Sequence, residues 1–212
     1  MAHYDALTGL PNRVLLADRL QQAMSQAQRR KNKVAVVFLD LDGFKNINDS
    51  HDHEFGDLLL VHIANKMKSV MREGDTLARF GGDEFVAVLL DFPNLPSSVP
   101  VLERLLHTCA ETVIIKGKQI SISASIGVSY FPREEELDAD QLIRQADQAM
   151  YQAKQTGKNH YHIFDTEQDN AVRGQYESIE RIREALSKNE FVLSKTTRYV
   201  VSTKALKGYV KP

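Results

Sequence analysis

A chain of 212 residues is long enough for one well-cored domain with an appendage. Its 42% hydrophobic and 26% charged residues, with few Gly and Pro, exclude a disordered polymer. A net charge of −1 gives no extended polyanion-binding face, so no nucleic-acid partner is expected and any phosphate must be met by a few placed cations. The one cysteine, Cys109, excludes an internal disulfide and reads as a small buried hydrophobe. No apolar run has the length of a membrane span, and no signal-peptide pattern opens the chain. A cytoplasmic location without membrane contact by this stretch is expected, with an anchor elsewhere in a parent protein left open. Fold-forming sequence begins directly after Met1-Ala2-His3, as in a piece cut from something longer.

In chain order, Pro11-Asn12-Arg13 opens a predicted helix with apolar residues at Leu16, Leu20, Ala23 and Ala27. Lys33 to Asp40 is a valine-rich apolar run bounded by charge, which predicts a central strand buried on both faces. A loop with a short helix follows, then an amphipathic helix from Leu58 to Met71. Thr76 to Phe80 and Glu84 to Leu90 read as strands joined at Gly81-Gly82, where both glycines can take the positive φ of a tight turn. Asp91 to Pro100 reads as a loop, Val101 to Val113 as a helix and Ile120 to Tyr130 as a strand entered through Gly117. Leu142, Ala146, Ala149, Met150 and Ala153 mark a last helix, closed by Gly157, before a short strand at Tyr161 to Phe164.

Helices alternating around several strands and one hairpin predict an α/β or α+β sheet covered by helices, without fixing strand order. A first domain is expected over 1–165 and a helical linker over 166–193. The tail 194–212, with five basic residues and no acid, shows no periodicity and is expected to be disordered or loosely attached.

The chemistry-bearing residues lie where strands end. Asp40 and Asp42 finish the central strand, and Asp83 and Glu84 follow the Gly-Gly pair. If the hairpin pairs beside that strand, Asp40 and Asp83 converge as hard oxygen ligands suited to Mg²⁺; a lone acid there would merely cap a strand end. Lys45 could neutralise charge on a transferring phosphoryl group, or be an ordinary solvated lysine. Asn48 and Asp57, with His53 on the same loop and helix start, offer complements to a purine edge through their Asn and Asp side chains, but Asn48 could equally end one helix and Asp57 N-cap the next. Lys154 and Lys158, four apart at a helix end, could hold terminal phosphates or simply answer the helix dipole.

Four motifs in order, spanning about Asp5 to Phe164, resemble the GGDEF family of diguanylate cyclases. They are Asp5-Ala6-Leu7-Thr8-Gly9-Leu10-Pro11-Asn12-Arg13, Leu39-Asp40-Leu41-Asp42-Gly43-Phe44-Lys45-Asn46-Ile47-Asn48-Asp49, Gly81-Gly82-Asp83-Glu84-Phe85, and Ala146-Asp147 through Gly157-Lys158-Asn159. The resemblance implies a palm-like, mainly antiparallel sheet wrapped by helices, and condensation of two GTP into cyclic di-GMP by a two-fold homodimer. It implies Mg²⁺, with Mn²⁺ as a substitute, on Asp40, the Leu41 carbonyl and Asp83. Asp83 is also implied as proton acceptor and Lys45 as transition-state stabiliser. Asn48, His53 and Asp57 correspond to GTP-binding positions, and Lys154 and Lys158 to phosphate contacts. Glu84 is left between metal site and catalysis.

Arg72-Glu73-Gly74-Asp75 matches the family's inhibitory product site, with a surface salt bridge as its bland alternative. Asp52 stands where the family usually has glycine. A left-handed backbone there would weaken GTP binding at most. Residues 164–193 resemble the linker of GGDEF–EAL tandem proteins, but from Ser194 the match ends and no Glu-Ala-Leu motif appears. A silent GTP-binding module that tunes an attached phosphodiesterase is therefore the alternative to an active cyclase. A cyclase making a cyclic mononucleotide is a third reading.

Overall fold

The computed structural model describes residues 3–133 and 136–165, together with two short strands at 191–193 and 200–202. The chain divides into two compact units, 1–164 and 165–212.

In the first unit, helix α1 (Arg13–Arg30) starts at Asn12, whose side chain accepts from the N–H groups of Val14 and Leu15. Strand β1 (Lys33–Asp42) leads into helices α2 (Phe44–Ser50) and α3 (His53–Ser69), and then the hairpin β2 (Thr76–Gly81) and β3 (Glu84–Phe92). Helix α4 (Val99–Ala110), strands β4 (Val113–Ile115), β5 (Lys118–Ile120) and β6 (Ser123–Phe131), helix α5 (Ala139–Gln155) and strand β7 (Tyr161–Ile163) complete it. The five-stranded sheet has the order β2-β3-β1-β6-β7. Every pairing in it is antiparallel except β6 with β7. This is the helix-covered, mainly antiparallel α+β sheet expected.

Strand alternation distributes β1 between two cores. Ala35, Val37, Leu39 and Leu41 pack with Leu59, Ile63 and Met67 of α3 and Leu102 and Leu105 of α4. Val34, Val36 and Phe38 pack with Leu16 and Leu20 of α1 and Leu142 and Met150 of α5. Each such buried Val, Leu, Ile, Met or Phe side chain stabilises the fold by roughly 1.5–3 kcal/mol. The same alternation puts Asp40 and Asp42 at the end of the α1/α5 face. Helix α5 is seated unusually close to β6: a Cβ on Gly127 would lie 1.9 Å from the Ala146 carbonyl oxygen and 2.0 Å from the Met150 nitrogen.

Three expectations need correction. Gly81 ends β2 and pairs with Glu84, so the turn is centred on Gly82-Asp83, and Gly82 alone of the two glycines takes a positive φ, +49°. The helix expected to reach Val113 stops at Ala110, because Val113 enters the small β4–β5 hairpin, whose turn residues Lys116 and Gly117 both have positive φ. The strand expected over Ile120 to Tyr130 is interrupted, with β5 ending at Ile120 and β6 starting at Ser123. In the second unit, strand β8 (Phe191–Leu193) pairs antiparallel with β9 (Val200–Ser202), which falls inside the stretch read as a tail. The expected linker helix and the rest of the tail lie outside the described residues.

Candidate active site

The hairpin does lie beside the central strand. Asp40 of β1 stands opposite Glu84 of β3, and the Leu41 N–H donates to the Asp83 carbonyl oxygen at 3.4 Å. Opposed residues of an antiparallel pair project to the same side, so the Asp40 and Glu84 side chains share one face. Asp40 is buried, and the Lys154 ammonium from the last turn of α5 sits 2.6 Å from its Oδ2. Burial raises the Asp40 carboxyl above its ordinary pKa; Lys154 opposes the rise, and Asp83 and Asp42 add to it. Burial likewise raises Glu84, reinforced by the charges of Asp40, Asp147 and Asp83 and opposed by Lys154. Asp147, two turns before Lys154 on α5, is raised by burial and relieved by the same lysine. One cation thus faces several carboxylates that crowd one another.

Asp42 has a different occupation. Its carboxylate accepts from Ser123 Oγ and Ser125 Oγ, both at 2.7 Å, and from the Asn159 N–H at 3.2 Å. It therefore ties β1 to β6 and to the turn after α5. Lys158 and Asn159 both take left-handed backbone there, with φ of 62° and 51°. Lys154 and Lys158 consequently do not form one helical pair: α5 ends at Gln155, Lys154 turns inward to Asp40, and Lys158 is exposed. Among the described residues, no three His, Cys, Asp or Glu side chains form a ready-made metal cluster.

A second group lies at the α2–α3 corner. Lys45 is exposed in the first turn of α2, and half-buried Asn48 lies against Gly56 of α3. A Cβ at Gly56 would approach Asn48 Oδ1 to 1.9 Å, so the Asn48 side chain occupies the space that glycine leaves there. Asn48 Oδ1 is buried with no hydrogen-bond partner. His53 and Asp57 are exposed and one turn apart on α3. The cap of α3 is Asp52, which accepts from the Phe55 N–H at 2.7 Å. Asp57 is thus free of the capping role. Asp52 has φ −79°, so the position does not require left-handed backbone and the expected penalty for lacking glycine has no basis.

At the Arg72–Asp75 turn, both Asp75 oxygens are engaged: Oδ2 accepts from the Arg72 N–H at 3.1 Å and Oδ1 from the Leu90 N–H at 3.0 Å. The bland reading of a salt bridge is replaced by a carboxylate that binds backbone. A cleft of about 420 Å³ beside this turn is lined by Tyr4, Arg19, Lys68, Arg72 and Asp75 among others.

Three features escaped the sequence reading. Arg79 bridges the Asp5 carboxylate at 3.1 and 3.2 Å and the Gly82 carbonyl at 2.8 Å, joining the first motif to the hairpin. Ser123 and Ser125 carried no signal apart from alternation along β6. Asp147 could have been found from its seven-residue spacing to Lys154.

The structure thus gathers Asp40, Glu84, Asp147 and Lys154 at one end of the sheet. The model of the family described as "Diguanylate cyclase, GGDEF domain" matches residues 2–160, and the chain belongs to that family. Over 193 residues it is 39% identical to the bifunctional diguanylate cyclase/cyclic di-GMP phosphodiesterase MucR of Pseudomonas aeruginosa, covering 91% of this chain and 28% of MucR. It is 35% identical over 193 residues to the cyclic di-GMP phosphodiesterase NbdA of the same organism, covering 91% of this chain and 24% of NbdA. The solved GGDEF domain of TpbB (YfiN) from Pseudomonas aeruginosa superposes with a TM-score of 0.77 at 32% identity, covering 81% of this chain and 99% of that domain. The chain therefore spans about a quarter of the length of these two relatives.

Proposed function

We propose that this domain condenses two GTP into cyclic di-GMP with release of two pyrophosphates, each of two domains across a two-fold axis presenting one GTP. The observation that carries this reading is the register of Asp40 against Glu84, which joins acids of two distant motifs beside Lys154. The donor set fits Mg²⁺, or Mn²⁺ in its place. Asp40, the Leu41 carbonyl and Asp83 are hard oxygen donors, and a cation, the Lys154 ammonium, already rests on Asp40. When bound, the ion would activate the ribose 3′-hydroxyl and neutralise the α-phosphate oxygens.

The chain's own residues have the remaining tasks. Asp83 accepts the proton as the 3′-oxygen of one GTP attacks the α-phosphorus of the other, whose bond to the bridging oxygen of pyrophosphate breaks. The same exchange in the opposite direction closes the ring. Lys45 offsets charge on the transferring phosphoryl group. Lys154 moves from Asp40 to the phosphates, and Lys158 meets them from its exposed turn. Asn48, His53 and Asp57 bind the nucleotide at the guanine end; Asn48 Oδ1 has no hydrogen-bond partner in its place against Gly56, and rotation of the side chain would offer it to a guanine N–H. Glu84, crowded and with a raised pKa, belongs to the same acid group. Cyclic di-GMP held by Arg72 beside the Asp75 turn restrains turnover.

A second reading, a silent GTP-binding module of a phosphodiesterase, is favoured by the match to NbdA over 91% of this chain. Incubation of the purified chain with GTP and Mg²⁺, alone and fused to a dimerising coiled coil, separates them by mass spectrometry. Cyclic di-GMP is the expected product. Unchanged GTP from the forced dimer would favour the silent module, and a cyclic mononucleotide would overturn both.

A further inference from the structure

Besides Val113 and Ile115, which share a core with α3, the β4–β5 hairpin sends one charged side chain to the start of that helix. Lys116 occupies its turn with φ 48°, next to Gly117 at 78°, the positive pair of a tight two-residue hairpin loop. Its Nζ lies 2.9 Å from Glu54 Oε2 and 3.7 Å from Asp52 Oδ1. Those two acids flank His53, and Asp52 is at once the cap of α3 through Phe55. A lysine at a helix N-terminus opposes the helix dipole, so local helix chemistry alone does not favour it there. What the arrangement achieves is a bond from a separate hairpin to the first turn of the helix that carries His53 and Asp57.

We propose that Lys116 is a positioning residue for GTP: by clamping Asp52 and Glu54 it holds the first turn of α3 so that His53 and Asp57 face the nucleotide bound at Asn48. The proposal rests on the guanine-end role given to these residues above. It assigns Lys116 no contact with substrate. It also gives Asp52 a second task, since the capping carboxylate is the clamp's other, longer contact at 3.7 Å.

The test is binding of a fluorescent GTP analogue to the whole chain, with KM and kcat measured on the coiled-coil dimer. Lys116→Met should weaken analogue binding and raise KM about threefold with kcat retained, the size of an exposed ion-pair network. Lys116→Arg should restore both. Amide hydrogen exchange at 53–57 should quicken in Lys116→Met while the melting temperature stays within about 2 °C of the parent chain.

Glu54→Gln provides the sharpest separation. A clamp predicts weaker binding, and little added loss when it is combined with Lys116→Met. If Lys116 merely attracted GTP through its charge, removing an acid would tighten binding, and the proposal would fail. Unchanged binding and exchange in Lys116→Met would also overturn it. Asp57→Ala separates this outcome from failure of the guanine-end reading: normal analogue binding in Asp57→Ala would remove that reading and the clamp with it. Weak binding there beside normal Lys116→Met would remove the clamp alone.

Discussion

Beside the Gly82 hairpin Glu84 stands opposite Asp40, which one lysine meets, whereas at the Arg72–Asp75 turn the carboxylate faces two backbone N–H groups. Burial and like charge raise Asp40 and Glu84, so their ionised forms are held at a cost the surrounding fold must offset. Asp75 has its donors in place, and so does Asp42, only two residues from Asp40 on the same strand. The difference separates acids that crowd one another around a single lysine from acids engaged by backbone and hydroxyl donors, a distinction that residue type alone does not make.

The widest separation is expected at Asp40. Asp40→Asn should lower turnover about a thousandfold, or roughly 4 kcal/mol of barrier, with the melting temperature almost unchanged. A large fall in melting temperature would place Asp40 with the structural acids instead. Asp42→Ala should behave in the opposite sense, costing about 2–3 kcal/mol in urea unfolding because Ser123, Ser125 and the Asn159 N–H lose their acceptor. Near-parental stability would break the contrast between the two neighbours.

Asp75→Ala should cost about 1–2 kcal/mol by the same assay, while Arg72→Ala should leave stability intact and relieve product inhibition. Equal effects of the two would blur the boundary between fold and ligand at that turn.

The smallest effect is at Glu84 and depends on pH. A carboxyl raised in the folded state makes stability fall as pH climbs from the ordinary value of 4.5 through the raised one. Glu84→Gln, melted without divalent cation, should therefore gain about 1–3 °C at pH 7 and nothing below about pH 4. A gain that persists in acid would point to packing and not to charge.

Much of this was legible in the residues. The unbroken apolar run of β1 announced a strand buried on both faces, and the helical spacing of α1 and α5 announced helices that pack by one face. The Asp40–hairpin convergence was foreseeable once β3 was assumed to pair with β1. Its register was not, since β1 reaches β3 only through α2, α3 and β2, and no turn between the two strands fixes Asp40 opposite Glu84. The division of labour between Asp40 and Asp42 was also hidden: it is decided by two serines more than 80 positions away. The β4–β5 hairpin was missed because three-residue strands are too short to show alternation, and with it went Lys116.

Gly127 gives the seating of α5 on β6 a consequence for any survey of tolerated variation. The helix backbone leaves no room for a methyl group, so even Gly127→Ala must lift the segment that carries both Asp147 and Lys154. A mutational scan scored on cyclic di-GMP output would rank position 127 beside the acids of the hairpin. Yet it holds no reacting atom: its importance is that of the bearing surface on which the working parts are mounted.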